Sequence, residues 1–416
     1  MKARDRSTPV HSAAHVGLNG SSPAASTASI RVLYVEPNED GTVGGSHKIL
    51  YDLVVRLSPE FHPTVLFYQE NLWAERMREA GVDVVCWEEE RQGELRGLKK
   101  GGKVSTGLTL AGAIRRRREL LREGRFDLVH LNNSPFVGYD DWLPAARLCG
   151  IPCVTYKMGN DRAPKDAIEA FAIRQFDAYF PLSLIMQQAL EGNGVDPAKI
   201  ELTYPGIDFD EITSTDFRAP QAVRDEFGVG PGQLLVVMVG NIRHWKGQHV
   251  VVEALAQLTA EERSALRVLF VGDTDPGSVD YRAGLVNSIE KAELQDMTVF
   301  TGRREDVPDI LEASDIAIHA SVIPEPFGLV VQEAMLHGCA TIAADEGGPV
   351  EMITEDTGIT FSPTEPEQLA EALRSLIHQE DLRTRLASNA RDRARIFDQR
   401  SHVQGIERRY ARVLGL

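Results

Sequence analysis

The chain has 416 residues, too many for one hydrophobic core and well suited to two domains. Hydrophobic residues make up 43% and charged residues 25%, ordinary globular values that exclude a wholly disordered or fibrous chain. A formal charge of −16 excludes a general nucleic-acid binder, and the longest apolar run, Leu234–Val239, is too short to span a bilayer as a helix.

Residues 1–29 hold six Ser, six Ala and no aromatic residue. Such a segment buries too little apolar surface to offset its ordering entropy, so it reads as a disordered tail. It starts with Lys2, Arg4 and Arg6 but lacks the apolar stretch of a signal peptide, which predicts a cytoplasmic protein.

From Ile30 onward, short apolar runs alternate with longer helix-like stretches. The predicted strands are Ile30–Val35, Thr64–Tyr68, Val82–Cys86, Leu128–Leu131, Cys153–Tyr156, Ala178–Pro181 and Glu201–Tyr204. All are apolar on both faces, as in a parallel sheet covered by helices. A polar stretch rich in Pro and Gly follows. A second series then comprises Leu234–Val239, Val268–Val271, Thr298–Phe300, Ile316–His319, Thr341–Ala344 and Ile359–Phe361. The expected fold class is therefore α/β, with two Rossmann-like, doubly wound domains facing across a cleft. The predicted boundaries are a tail at 1–29, a first domain at 30–212, a linker at 213–233 and a second domain at 234–395. The Arg-rich stretch 396–416 reads as a helix that crosses back to the first domain. The cysteines Cys86, Cys149, Cys153 and Cys339 are too few and too scattered for a disulfide framework. Cys149 and Cys153 lack the second Cys/His pair of a metal site and read as small apolar residues.

Three clusters follow strands. Gly44, Gly45, Ser46 and His47 lie in a Gly-rich run, Gly41–His47, that opens a helix near Lys48. Paired glycines at such a turn allow close backbone approach to a ligand, although a tight turn without a ligand looks the same. After Leu234–Val239 comes the run from Gly240 to Gln248, containing Arg243 and Lys246. Two cations at a strand's carboxyl end can neutralise a diphosphate leaving group; a solvated basic loop is the alternative. After Ile316–His319 comes Pro324-Glu325-Pro326-Phe327-Gly328-Leu329-Val330, leading into a helix that carries Glu333. The kinked entry leaves the amides of Phe327 to Val330 for an incoming group. Glu325 can accept hydrogen bonds from sugar hydroxyls, and Glu333 can grip a vicinal diol.

At these residues the sequence resembles the family-4 retaining glycosyltransferases of the GT-B fold, also grouped as glycosyl transferases group 1. The resemblance runs from Ile30 to about Leu416 and is strongest in the Glu-x7-Glu segment, Glu325 to Glu333. Further matches are Gly240 to Gly247, Gly44-Gly45, the Tyr204–Asp208 junction and Gly347-Gly348-Pro349-Val350-Glu351. The resemblance implies transfer of a sugar from a nucleotide donor to a glycan, glycolipid or small acceptor, with retention at the anomeric carbon and no cofactor. It implies that Lys246 with a nearby Arg binds the diphosphate and Glu333 the ribose. Glu325 and the amides of Phe327, Gly328, Leu329 and Val330 would hold the donor sugar and distal phosphate, and Gly45 would meet that phosphate from the other domain. Two positions depart from the family. Asn241 stands where the family usually has Arg, so Arg243 is the expected source of the guanidinium. Asn132 stands where a His is frequent, which leaves His130 or Asn132 to contact sugar or acceptor, with His130 a candidate base.

Asp273-Thr274-Asp275 spells a metal-binding signature of other glycosyltransferases but precedes Pro276 and Gly277, so it reads as a turn, and no metal is expected. Residues 91–125 hold eleven Lys/Arg against three acids. That excess suits an anionic membrane surface or lipid-linked acceptor, at the inner face of the membrane, or else a solvated helix paired with acidic neighbours. The competing functions are a nucleotide-sugar epimerase, a phosphorylase, for which no cofactor lysine is marked, and a non-catalytic sugar-binding relative.

Overall fold

The computed structural model describes residues 29–37, 44–88, 90–91, 103–133, 141–159, 164 and 167–416. The tail to residue 28, residues 41–43 of the glycine-rich turn, and Arg96, Lys99 and Lys100 of the basic segment lie outside the described residues.

Among the described residues, twelve strands form two six-stranded sheets. The first holds β1 (Ile30–Glu36), β2 (Phe61–Phe67), β3 (Asp83–Cys86), β4 (Leu128–Leu131), β5 (Cys153–Lys157) and β6 (Ala178–Pro181). The second holds β7 (Leu234–Val239), β8 (Leu266–Val271), β9 (Thr298–Gly302), β10 (Ile316–His319), β11 (Ala340–Ala344) and β12 (Gly358–Phe361). Each strand matches a predicted apolar run to within three residues at either end.

The sheet orders are β3-β2-β1-β4-β5-β6 and β12-β11-β10-β7-β8-β9, with every strand pair parallel. Both are doubly wound, and the order reverses between β1 and β4 in one sheet and between β7 and β10 in the other. Ligands of such sheets bind beyond the carboxyl ends of the strands at these reversals.

Glu201–Tyr204 is not a strand, which corrects the sequence expectation. Glu201 N–H donates to Tyr179 O at 2.9 Å and Thr203 N–H to Pro181 O at 3.1 Å. The return bond between them would need the N–H of Pro181, which proline lacks, so no ladder forms. The stretch expected as a linker, 213–233, begins at the end of one short helix, Phe209–Ser214, and contains a second, Pro220–Glu226.

One apolar cluster stitches the halves together. Tyr34, Leu50 and Phe180 of the first share it with Phe327, Val331, Met335 and Met352 of the second, and with Phe397, Ile406 and Tyr410 near the carboxyl end. The helix Gln399–Leu414 supplies the last two and lies on the first domain. There Ser58 N–H donates to Glu407 Oε1 at 2.6 Å, and Arg409 donates to Ala198 O at 2.6 Å. The basic helix Lys103–Glu123 is not uniformly a solvated face. Arg117 is buried, paired with Asp141 at 2.8 Å and sandwiched against Trp87 and Trp142. The four cysteines are free thiols, with Cys153 and Cys339 buried.

Candidate active site

Lys246 and Glu325 meet although 79 residues separate them. Lys246 lies in the turn after β7 and Glu325 in the loop after β10, and these strands are neighbours at the reversal of the second sheet. Gly247, at φ +78°, lets the first loop lie flat on the second: a Cβ there would come within 1.8 Å of Ala320 O. Val322 N–H donates to Trp245 O at 2.8 Å and fixes the contact. Lys246 Nζ then reaches Glu325 Oε1 at 2.5 Å and lies 4.4 Å from the centre of the Trp245 ring.

Glu325 is buried, with 9% exposure. Burial alone would raise its pKa, but the charges of His319 and Lys246 outweigh this and hold the carboxyl well below the ordinary range. Ser321 Oγ donates to the same Oε1 at 2.6 Å. Gly348 N–H donates to Glu325 O at 2.8 Å, so the Gly347–Glu351 segment braces the loop from behind.

Gly328 caps the helix Leu329–Leu336. Among the described residues the amides of Leu329 and Val330 have no acceptor, so the positive end of the helix is open to an anion. Phe327 differs: its ring is buried 6.0 Å from Tyr204 and 5.8 Å from Phe397, leaving only its backbone for a ligand. Glu333, one turn into the helix, lines an open cleft of about 1500 Å³ between the domains. Desolvation raises its pKa, the charge of Lys48 opposes this, and Asp52 reinforces it. Gly44, Gly45 and Lys48 face it from the first domain, with Gly240, Asn241, Leu329 and Val330 on the second. At Gly45 the two halves nearly touch, since a Cβ there would lie 3.0 Å from Leu329 Cδ1.

Arg243 is held by an ion pair from its Nε to Asp275 Oδ2. The Asp273–Asp275 turn is joined to the Gly240–Lys246 loop by Ile242 N–H donating to Asp273 O at 2.8 Å. Asp275 therefore does more than form a turn: it fixes Arg243 beside the cleft, which Asp275 itself lines.

His130 is not in the cleft, contrary to its candidacy as base or acceptor contact. It has no exposed surface and is enclosed by Tyr34, Tyr156, Phe180 and Tyr410 beneath the carboxyl-terminal helix, with its Nδ1 bonded to the Tyr410 hydroxyl. Burial, reinforced by His402, pushes its pKa down to about 3 and keeps the ring neutral. Asn132 is also fully buried; it donates to the Glu36 carboxylate and to Ser46 O, supporting the Gly44–Ser46 turn from below. Sequence reasoning missed His319, Ser321, Lys48 and the Trp73–Arg76 face of the cleft. The first two were open to discovery, since His319 ends the strand that precedes Glu325 and Ser321 follows it by two residues.

Comparisons with known proteins bear on the family and the fold. Residues 221–393 match the family "Glycosyl transferases group 1" and residues 43–211 match "Glycosyltransferase Family 4". A D-inositol 3-phosphate glycosyltransferase of Mycobacteroides abscessus is 31% identical over 193 residues, 46% of this chain and 42% of that relative. The match thus spans less than half of that relative's length. Spore coat protein SA of Bacillus subtilis is 24% identical over 368 residues, 84% of this chain and 90% of the relative. Among solved structures, Anabaena Alr3699/HepE in complex with UDP and glucose superposes with a TM-score of 0.76 at 22% identity, covering 92% of this chain and 99% of that one. Sucrose-phosphate synthase from Thermosynechococcus elongatus gives 0.71 at 16% identity, over 93% of this chain and 99% of that one. At these identities the likeness is one of fold.

Proposed function

The chain belongs to the group 1, family 4 glycosyltransferases and has their two-domain GT-B fold; on that premise we propose that it moves a sugar from a nucleotide donor to a hydroxyl of a glycan, glycolipid or small acceptor, with retention and without metal. The observation that carries this reading is the meeting of Lys246 with Glu325 at the strand-order reversal, beside the cleft that Glu333 lines. Complexes of Alr3699/HepE with UDP and with UDP-glucose support a nucleotide-sugar donor.

In this reading Lys246 and Arg243 neutralise the diphosphate, and the open amides at Leu329 and Val330 face its distal phosphate. Gly45 brings its backbone to the same group across the cleft. Glu333 accepts both hydroxyls of the ribose; two such bonds relieve the desolvation that raises its pKa. Glu325 accepts hydroxyls of the donor sugar. The bond from the anomeric carbon to phosphate oxygen breaks while the acceptor oxygen bonds on the same face, and the acceptor proton passes to the departing phosphate. No side-chain nucleophile is required, consistent with a His130 that is buried away from the cleft.

We further propose that the protein works in the cytoplasm, at an anionic membrane surface reached through the basic helix. Arg115 and Leu108 are exposed on that helix and Leu148 on the helix Trp142–Cys149 packed against it, whereas Arg117 belongs to the core. Flotation with anionic vesicles, against neutral ones, tests this. The transfer itself is tested by incubating the protein with nucleotide sugars and acceptors and reading the anomeric configuration of the product by NMR. Retention in the presence of a chelator supports the reading, and inversion or a strict metal requirement overturns it.

A further inference from the structure

Three side chains converge on one oxygen of Glu325. Lys246 Nζ at 2.5 Å, Ser321 Oγ at 2.6 Å and His319 Nε2 at 3.1 Å all address Oε1. Among the described residues no hydrogen bond or ion pair reaches Oε2.

This asymmetry has a chemical consequence. A carboxylate accepts on both oxygens, so a group clamped through one presents the lone pairs of the other. Glu325 is buried, and a buried charge is retained only when paired. Its nearest partner, Lys246, is also the cation that a diphosphate recruits. If Lys246 were the sole partner, its turn toward phosphate would strand the carboxylate.

His319 is placed to prevent that. It ends β10, where its neighbour on β11 is Ala343, and it is 6% exposed. Residues two apart on an extended chain share a face, which puts His319 and Ser321 on the side of Glu325. Neither ring nitrogen has an aligned hydrogen-bond partner among the described residues, so the approach of Nε2 to Oε1 at 3.1 Å is a close ion-pair contact.

We propose that His319 is a positioning residue for the donor sugar: with Ser321 it keeps hold of Oε1 when Lys246 turns to the diphosphate, leaving Oε2 for sugar hydroxyls. The inference rests on the reading of the cleft as a nucleotide-sugar site. It also separates the two halves of the donor, because His319 acts on the sugar through Glu325 and not on the nucleotide.

The test uses calorimetric titration of the full chain with UDP-, GDP- and ADP-hexoses and with the matching nucleoside diphosphates. His319→Phe removes the donor and keeps a ring; His319→Gln restores an N–H of similar reach. For the tightest hexose nucleotide, His319→Phe raises Kd by roughly tenfold or more, the value of one hydrogen bond to a charged group. Its Kd for the matching diphosphate stays within about twofold, a range below the value of such a bond. His319→Gln recovers most of the lost affinity. Ser321→Ala shows the same sugar-selective loss, which keeps the inference testable if His319→Phe does not fold. Equal losses for both ligands, or no loss for the hexose nucleotide, overturn the role of His319 and leave the donor site standing. Failure of the wild type to bind any hexose nucleotide overturns the functional reading, and this inference with it.

Discussion

Glu351 lies in the second domain and Leu184 in the first, yet the Glu351 carboxylate accepts the Leu184 backbone N–H at 2.9 Å. The same carboxylate accepts Ile185 N–H at 3.3 Å and the Tyr204 hydroxyl at 2.8 Å. The helix Leu184–Gly192 has no cap from its own Ser183, so its open amides are satisfied from across the domain boundary. Glu351 lies two residues beyond the Gly347–Pro349 turn, whose Gly348 amide braces Glu325. The Glu325 loop and the first domain are thus tied through the Gly348 amide and the Glu351 carboxylate.

Replacing Glu351 by Ala should cost about 1 kcal/mol, as for loss of a helix cap. Calorimetric melting should show this as a fall of roughly 2–4 °C. Glu351→Gln, which keeps an accepting oxygen, should lose less. Equal effects of both variants would mean that the cap is not the stabilising element.

Lys246→Ala leaves the buried Glu325 without its nearest cation, a change that typically costs about 3–5 kcal/mol. In a Glu325→Gln background the same substitution should cost much less, since no charge is stranded. A double-mutant cycle by urea denaturation reads the difference, and additive effects would contradict the pairing.

Arg243→Ala should weaken nucleoside diphosphate binding about tenfold, the value of one charge-assisted contact. Asp275→Asn leaves Arg243 in place without its anchor, so it should weaken binding less than Arg243→Ala does. If Arg243→Ala bound the diphosphate as the wild type does, Arg243 would not be the missing guanidinium.

His130 and His402 make the carboxyl-terminal helix sensitive to acid. Burial lowers their pKa values to about 3 and about 4 from 6.5, with His402 adding to the shift of His130 and the Tyr204 carbonyl opposing that of His402. Both are neutral when folded and protonated when unfolded below pH 6.5, so the unfolded state binds more protons. Stability is then complete above the unfolded value and falls as pH drops toward the folded values. Hydrogen exchange of residues 399–414 should quicken between pH 7 and 5. His130→Phe should flatten that dependence while transfer activity at neutral pH survives. Loss of activity in a folded His130→Phe protein would restore His130 as a catalytic candidate.

Much of this architecture is legible in the chain because a strand buried on both faces must be apolar throughout, as Leu234–Val239 and Ile316–His319 are. The glycine turns and the Glu325–Val330 segment mark strand ends in the same way. What spacing cannot convey is adjacency. Lys246 finds Glu325 only because β7 lies beside β10, an order that no local pattern encodes. His130 looks like any strand-end histidine until Tyr410, 280 residues away, closes over it. Glu201–Tyr204 has the composition of a strand, and the missing N–H of Pro181 decides otherwise.

The most direct measurement is a crystal structure of the protein with an intact nucleotide sugar. The expected result has the diphosphate against Lys246 and the amides of Leu329 and Val330, the ribose hydroxyls on Glu333 and the sugar hydroxyls on Glu325. A nucleotide bound elsewhere, or one lying in the cleft with Lys246 still paired only to Glu325 and no phosphate in reach, would contradict it.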